Sequence, residues 1–334
     1  MVENMTRTAR GVAFAFVAAW LSVATAVADT VRYEPTHGVP TFAVREPVLR
    51  LKPNDILESR TFSRPGDYYD RAGGPWPGEV GPIYIEGAEP GDTLVVKLIR
   101  VRPNRDSAVS ALSPGGMSAV AGDARTRMLN PPLAGRRFEW RLDRERNVGS
   151  LDLPNSAMGR IEIPLVPMLG RLAVAPAGEE AFGGLWPGNF GGNMDSADAR
   201  EGTTVHLPVF HAGALFYFGD GHARQGDGEI AGSGLETTMD VTLQFDVIKG
   251  RAIAWPRFED AEFIMVAGSG RPLVDAFRIA HVELIEWLVA DYGFEQLEAY
   301  QVVSQVAVTR VANVVDPVYT VMAKFPKSLL PPPR

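Results

Sequence analysis

The sequence predicts a mainly β fold, a β-sandwich or jelly-roll-like core with an α+β portion, and three observations predict it. Short alternating or wholly apolar runs, bounded by Gly, Pro, Asn and Asp, follow one another from Thr30 to about Ile248. The 34 Gly and 26 Pro are spread along the chain, which suits many short strands joined by tight turns. After Pro272 the apolar period changes from that of a strand to that of a helix.

The clearest strand is Leu94 to Val101, entered through the turn Pro90-Gly91-Asp92. A similar turn, Pro53-Asn54-Asp55, precedes Ile56-Leu57, and Arg160 to Ile163 and Val241 to Val247 read as further strands. Beyond Pro272, residues Phe277, Ala280, His281, Leu284, Ile285 and Leu288 recur at i, i+3, i+4 spacing, which predicts an amphipathic helix from Leu273 to Asp291 ending near Gly293. His281 falls on or beside that stripe and reads as a core or interface histidine. A second helix is expected from Glu295 to Val303, and a strand from Val306 to Val311. The expected organisation is one domain over 29–330, β-rich to about residue 250, with C-terminal helices within 273–303. Residues 64–79, rich in Pro, Gly, Tyr and Asp, read as one long loop able to border a site.

The first 28 residues have the layout of an export signal: Arg7 and Arg10, an apolar run from Gly11 to Ala24, and Ala26-Val27-Ala28 as a small-residue cleavage motif. The expectation is a periplasmic or secreted protein with no membrane attachment once that segment is removed. With no cysteine the chain has no thiolate nucleophile, no thiolate metal ligand and no disulfide. The formal net charge of −7, without any long run of like charge, argues against a nucleic-acid partner. Assembly into a homo-oligomer is left open.

One stretch concentrates chemistry. Between His206 and Glu229 lie three of the five histidines, His206, His211 and His222, and the carboxylates Asp220, Asp227 and Glu229. A Phe-rich apolar run, Leu215 to Phe218, leads into them, and glycines at 219, 221, 226 and 228 interleave the polar residues. Those glycines are expected to take positive φ, so that tight turns bring the polar heads together. A carboxylate at the end of a buried strand is desolvated and needs a partner, most simply a cation. Imidazole with carboxylates suits a divalent metal, zinc rather than calcium, which prefers oxygen alone. The alternative is that Asp and Gly here make plain surface turns. Phe190-Gly191-Gly192-Asn193-Met194-Asp195 has the same character, and Glu236 follows Glu229 by seven residues.

These segments resemble the acetamidase/formamidase family. The resemblance is carried by Gly81-Pro82-Ile83-Tyr84-Ile85-Glu86-Gly87 with Pro90-Gly91-Asp92, by Pro167-Met168-Leu169-Gly170, by Gly191-Gly192-Asn193-Met194-Asp195, by Gly219-Asp220 through His222 to Gln225-Gly226-Asp227-Gly228-Glu229 with Glu236, and by Asn313-Val314-Val315-Asp316-Pro317. It runs from about Pro47 to Pro326. It implies a β-rich fold with an α+β portion, a bound divalent metal, and hydrolysis of a small carboxylic amide to carboxylate and ammonia. Under that resemblance Asp195, Asp220 and His222, with Asp227, are the expected metal ligands. Glu236 or Glu229 would carry the proton from water to the leaving nitrogen, and Asn193 or Gln225 would hold the amide.

The aromatic residues Phe62, Tyr68, Tyr69, Trp76 and Tyr84 suit a substrate bulkier than formamide, although such residues more often serve packing. The competing reading is an exported, non-catalytic metal- or ligand-binding β-rich protein derived from the same family. A serine-nucleophile amidase is disfavoured because the chain has no Ser-Ser pair.

Overall fold

The structure is a computed structural model that describes residues 28–71, 73–112, 117–120 and 133–332. The expected export signal, apart from Ala28, lies outside the described residues.

Strands dominate; the described residues form two large sheets, a four-stranded one and a two-stranded one that pairs Thr41–Phe42 with Phe182–Gly183. The first has nine strands in the order Thr30–Arg32, Ile56–Arg60, Met239–Ile248, Thr93–Pro103, Thr204–Pro208, Arg257–Glu259, Phe263–Gly270, Tyr319–Pro326 and Val308–Asn313. The second has six, in the order Pro187–Gly188, Gly191–Asn193, Met168–Ala173, Phe216–His222, Val80–Ile85 and Leu49–Leu51. A four-stranded sheet is built from Ser107–Leu112, Arg136–Asp143, Val148–Leu153 and Gly159–Pro164.

Leu94, Val96 and Leu98 alternate with outward residues and face the core, opposite Val247, Phe245 and Leu243 in register. That alternation is the period-two pattern of a sheet with one face packed and one face wet. From the six-stranded sheet, Phe216 meets Phe245 edge-on at 5.3 Å between ring centroids, so the two large sheets share one apolar core. The sandwich expected from sequence is therefore the architecture observed.

The helices expected after Pro272 run from Leu273–Tyr292 and Gln296–Val306. Gly293 closes the first at φ 70°, donating its N–H to Leu288 O. The buried face matches the expected stripe at Ala280, Leu284 and Leu288 and departs from it at Phe277. Ala276, Ala280, Leu284 and Leu288 pack on Ile264, Val266 and Val321, whereas Phe277 is 45% exposed and its ring lies 3.9 Å from that of His281 on the outer side. Small residues win the inner face because the sheet backbone approaches closely: a side chain at Gly268 would meet Ala280 Cβ at 3.0 Å.

Candidate active site

The site forms where the ends of neighbouring strands in the six-stranded sheet meet the turn after Val308–Asn313. Cross-strand register sets Arg171 opposite Asn193 on one side and Gly219 on the other. Met168 stands opposite His222. Glu236 is fixed by backbone hydrogen bonds with Val109 in both directions, at 2.8 and 2.9 Å, and bridges to His222. The four-stranded sheet thus anchors Glu236, the six-stranded sheet carries Asp220 in a strand and Asp195 just past one, and turns bring in Glu229 and Asp316.

Three of the acids adopt left-handed backbone, as Gly191, Gly192 and Gly228 beside them also do. Asp195, Asp220 and Glu229 have φ of 45°, 58° and 49°. The left-handed region disfavours residues with a Cβ, and such departures gather at functional sites. Gly219 and Gly221 instead lie inside the strand Phe216–His222, and of the four expected hinges Gly228 has positive φ. What glycine supplies here is room: a Cβ at Gly170 would collide with Asp195 Oδ1 and come within 2.7 Å of Asp220 Oδ2.

His222 is buried, with Nε2 3.3 Å from Asp220 Oδ1 and 3.1 Å from Glu236 Oε2. Its Nδ1 lies 2.8 Å from Gln225 Oε1. Donor atoms of Asp195, Asp220 and His222 all fall within 4.8 Å of one another, and so do those of His222, Glu229 and Glu236. Asp316 completes the acid ring, its Oδ2 accepting from Asn193 Nδ2 at 2.6 Å and Asn313 Nδ2 at 2.9 Å. Asn193 Nδ2 also donates to Asp195 Oδ2 at 2.6 Å. Behind them the buried Arg171 guanidinium is hydrogen-bonded to Glu79 Oε1 and Asn193 Oδ1 and lies 3.3 Å from Asp220 Oδ2.

This charge pattern sets the protonation tendencies. Burial raises Asp220, but Arg171 and His222 outweigh it and hold the carboxyl at about 2. Burial and neighbouring acids push Asp195 and Glu229 well above the usual carboxylate range, and burial raises Asp316 to about 6. Burial lowers His222, but Glu236 and Asp220 outweigh it and raise the imidazole well above its ordinary value. Asp195 Oδ1, Glu236 Oε2 and Asp316 Oδ1 are buried without a hydrogen-bond partner. Glu236 Oε2 is near His222 Nε2 in distance without being hydrogen-bonded to it. Unpartnered buried carboxylate oxygens around one imidazole form a donor set that fits a divalent cation.

Of the residues expected from sequence, Asp195, Asp220, His222, Glu229, Glu236 and Asn193 line one cavity. Three expectations are corrected. Asp227 is not in the acid cluster: its half-exposed carboxylate pairs with Arg310 at 2.9 and 3.0 Å, because the turn that directs Glu229 inward directs Asp227 out. Asn193 and Gln225 are not free to hold an amide. The Asn193 side chain is committed to Arg171 and two acids, and Gln225 Nε2 to Asp195 O at 2.6 Å and Ala312 O at 3.0 Å. Both are positioning residues. Nor do the other histidines join: His211 Nε2 donates to Pro176 O at 2.6 Å, and His206 sits edge-on to Trp287.

Sequence reasoning missed Asp316, Asn313, Arg171 and Glu79. The first two were visible as the polar ends of Asn313-Val314-Val315-Asp316-Pro317, and Arg171 follows Gly170 inside an otherwise apolar run. A cation in the middle of a buried strand demands a counter-charge. Nothing in the local sequence singled out Glu79.

Comparison with known proteins identifies the family. The family model described as Acetamidase/Formamidase family matches residues 153–330, which contain every site acid except Glu79. A putative formamidase of Schizosaccharomyces pombe is 29% identical over 215 residues, 51% of this chain and 51% of that protein. An acetamidase of Mycolicibacterium smegmatis is 27% identical over 219 residues, 51% of this chain and 53% of that protein. The chain thus spans about half the length of the curated relatives it matches. A crystal structure of an acetamidase from Yersinia enterocolitica is 36% identical, with a TM-score of 0.80, covering 91% of this chain and 94% of that one. Fold, site-bearing segments and sequence identity agree: the chain belongs to the acetamidase/formamidase family.

Proposed function

We propose that this protein hydrolyses a small, uncharged carboxylic amide to carboxylate and ammonia, with a divalent cation, zinc rather than calcium, held by Asp195, Asp220 and His222. The observation that carries the reading is the ring of buried, unpartnered acid oxygens closing on His222 Nε2 inside a cavity. A divalent ion bound there supplies a Lewis acid for the carbonyl and makes water more acidic.

The chain's own residues do the rest. Gln225 and Asn193 hold the imidazole and the acids in place. Arg171 offsets the charge of Asp220 without leaving Glu79. Glu236, with Glu229 beside it, takes the proton of the attacking water and delivers it to the amide nitrogen. Water oxygen bonds to the carbonyl carbon, the carbon–nitrogen bond breaks, and ammonia leaves. The carboxylate product then shares the cavity with the ionised Asp220, whose repulsion favours its release.

The proposal includes export, supported by Arg7, Arg10, the apolar run Gly11 to Ala24 and the Ala26-Val27-Ala28 motif. N-terminal sequencing of protein recovered from the periplasm or medium tests it, and a chain retained in the cytoplasm with Met1 intact refutes it.

Ammonia release from formamide and acetamide tests the chemistry. Chelation abolishes turnover, zinc restores it, and Asp220→Asn and His222→Ala are inactive. Full activity in chelated protein and in both variants overturns the assignment.

A further inference from the structure

The cavity over the acid cluster is not shaped for formamide. It measures about 370 Å³, within the range of ~300–1,000 Å³ that drug-sized ligands occupy. Asp195, Asp220, Glu229, Glu236 and Asp316 line it together with Pro40, Tyr68, Trp76 and Leu185, which contribute an apolar wall.

The wall is built to stay in place. Tyr68 and Trp76 belong to the long loop at 64–79, and that loop is organised around Asp67, which is 0% exposed. Asp67 accepts from Ser63 Oγ and Arg64 N at 2.8 Å and from Tyr69 N at 2.9 Å. Arg137, from the four-stranded sheet, donates to Tyr68 O at 2.5 Å and Tyr69 O at 3.0 Å. Trp76 packs against both tyrosines, at 5.6 and 5.5 Å between centroids, and its Nε1 donates to Glu79 Oε1 at 2.9 Å. Arg171 lies over the same indole at 4.4 Å. Arg171, which pairs with Asp220, and its partner Glu79 therefore also hold the aromatic wall, so wall and acids are fixed relative to each other. Preformed apolar surface binds apolar groups without an ordering cost.

Resting on the amidase reading, we propose that the substrate is an uncharged amide bearing an aromatic or comparably large apolar group, which lies against Tyr68, Trp76 and Leu185 while the amide faces the acid cluster. The acids exclude a substrate that carries its own carboxylate near the amide.

The test compares kcat/KM for formamide, acetamide, phenylacetamide and succinamate, with calorimetric titration of phenylacetamide into the zinc-loaded protein. The expected result is that phenylacetamide exceeds acetamide by tenfold or more, since each added carbon in an apolar pocket is worth about 10-fold or better, and that succinamate is the poorest. Leu185→Ala and Tyr68→Ala each lower the phenylacetamide-to-acetamide ratio by about tenfold. Leu185 is 38% exposed, so its truncation leaves the core intact even where Tyr68→Ala disturbs the loop. Preference for acetamide, or a ratio unchanged in both variants, overturns the proposal while leaving amide hydrolysis standing. Saturable phenylacetamide binding without turnover of any amide, weakened in Leu185→Ala, supports the ligand class and overturns hydrolysis. Neither binding nor turnover overturns both.

Discussion

Gln225 Oε1 accepts a hydrogen bond from His222 Nδ1 at 2.8 Å. The direction is fixed from the far end of the amide: Gln225 Nε2 faces two carbonyls, Asp195 O and Ala312 O, so the oxygen must face the ring. Nδ1 therefore carries a proton, and Nε2 is the atom turned toward Asp220 and Glu236.

Replacing that amide removes the constraint. Gln225→Leu is expected to weaken zinc binding by about 10–100-fold, the usual effect of losing the partner that orients a histidine ligand. Competition with a chromogenic chelator measures it, and unchanged affinity in a folded variant refutes the role.

Gly170→Ala places a methyl group against Asp195 Oδ1 and Asp220 Oδ2. Overpacking a buried site costs about 1–3 kcal/mol, and here the groups displaced are the acids themselves. The variant should lose bound metal while retaining its circular-dichroism spectrum. Normal metal content by elemental analysis would show that the two carboxylates have slack.

Arg171→Met leaves Glu79 and Asp220 buried without their cation. Breaking a buried pair from one side costs about 3–5 kcal/mol, read from denaturant midpoints. Arg171→Lys should not restore the loss, because an ammonium cannot span Glu79 and Asn193 together as the guanidinium does.

Asp316→Asn and Asp227→Ala separate the inward acid from the outward one. Asp316→Asn should lower metal affinity by tenfold or more, in the range seen for groups that support ligands. Asp227→Ala loses a half-exposed ion pair with Arg310 and should leave metal content unaltered. The reverse result would return Asp227 to the site.

His206 provides a pH test remote from the acid cluster. Burial beside Trp287 lowers it from 6.5 to about 4; Glu259 opposes that shift, and Arg257 and Arg251 reinforce it. The folded pKa is below the unfolded one, so the unfolded state binds the extra proton first as pH falls. The stabilisation of the neutral ring is present above pH 6.5 and disappears between there and pH 4, amounting to about 3 kcal/mol. Relative to His206→Gln, the wild-type protein should lose about that much stability across this window. Parallel stability curves for the two proteins contradict it.

Much of this molecule was legible in the chain. Alternation in Leu94 to Val101 and Val241 to Val247 specified strands because one face of each is buried. The change of period after Pro272, with Gly293 as its stop, specified the first helix. Asp220, His222, Glu229 and Glu236 were found together because they are close in sequence and follow a buried strand. The buried face of the helix was right at Ala280, Leu284 and Leu288 and wrong at Phe277, which Ala276, matched to a close sheet, displaces.

Sequence alone determined a β-sandwich followed by helices and a segment dense in acids and imidazole, since periodicity and local composition are short-range properties. Tertiary structure alone decided which of those groups converge. Asp316, Arg171 and Glu79 arrive from strands and turns far apart in the chain, through cross-strand register that no local pattern encodes. Asp227 and Glu229 are two residues apart, and a single turn with left-handed backbone at Gly228 and Glu229 sends one to solvent and the other to the site.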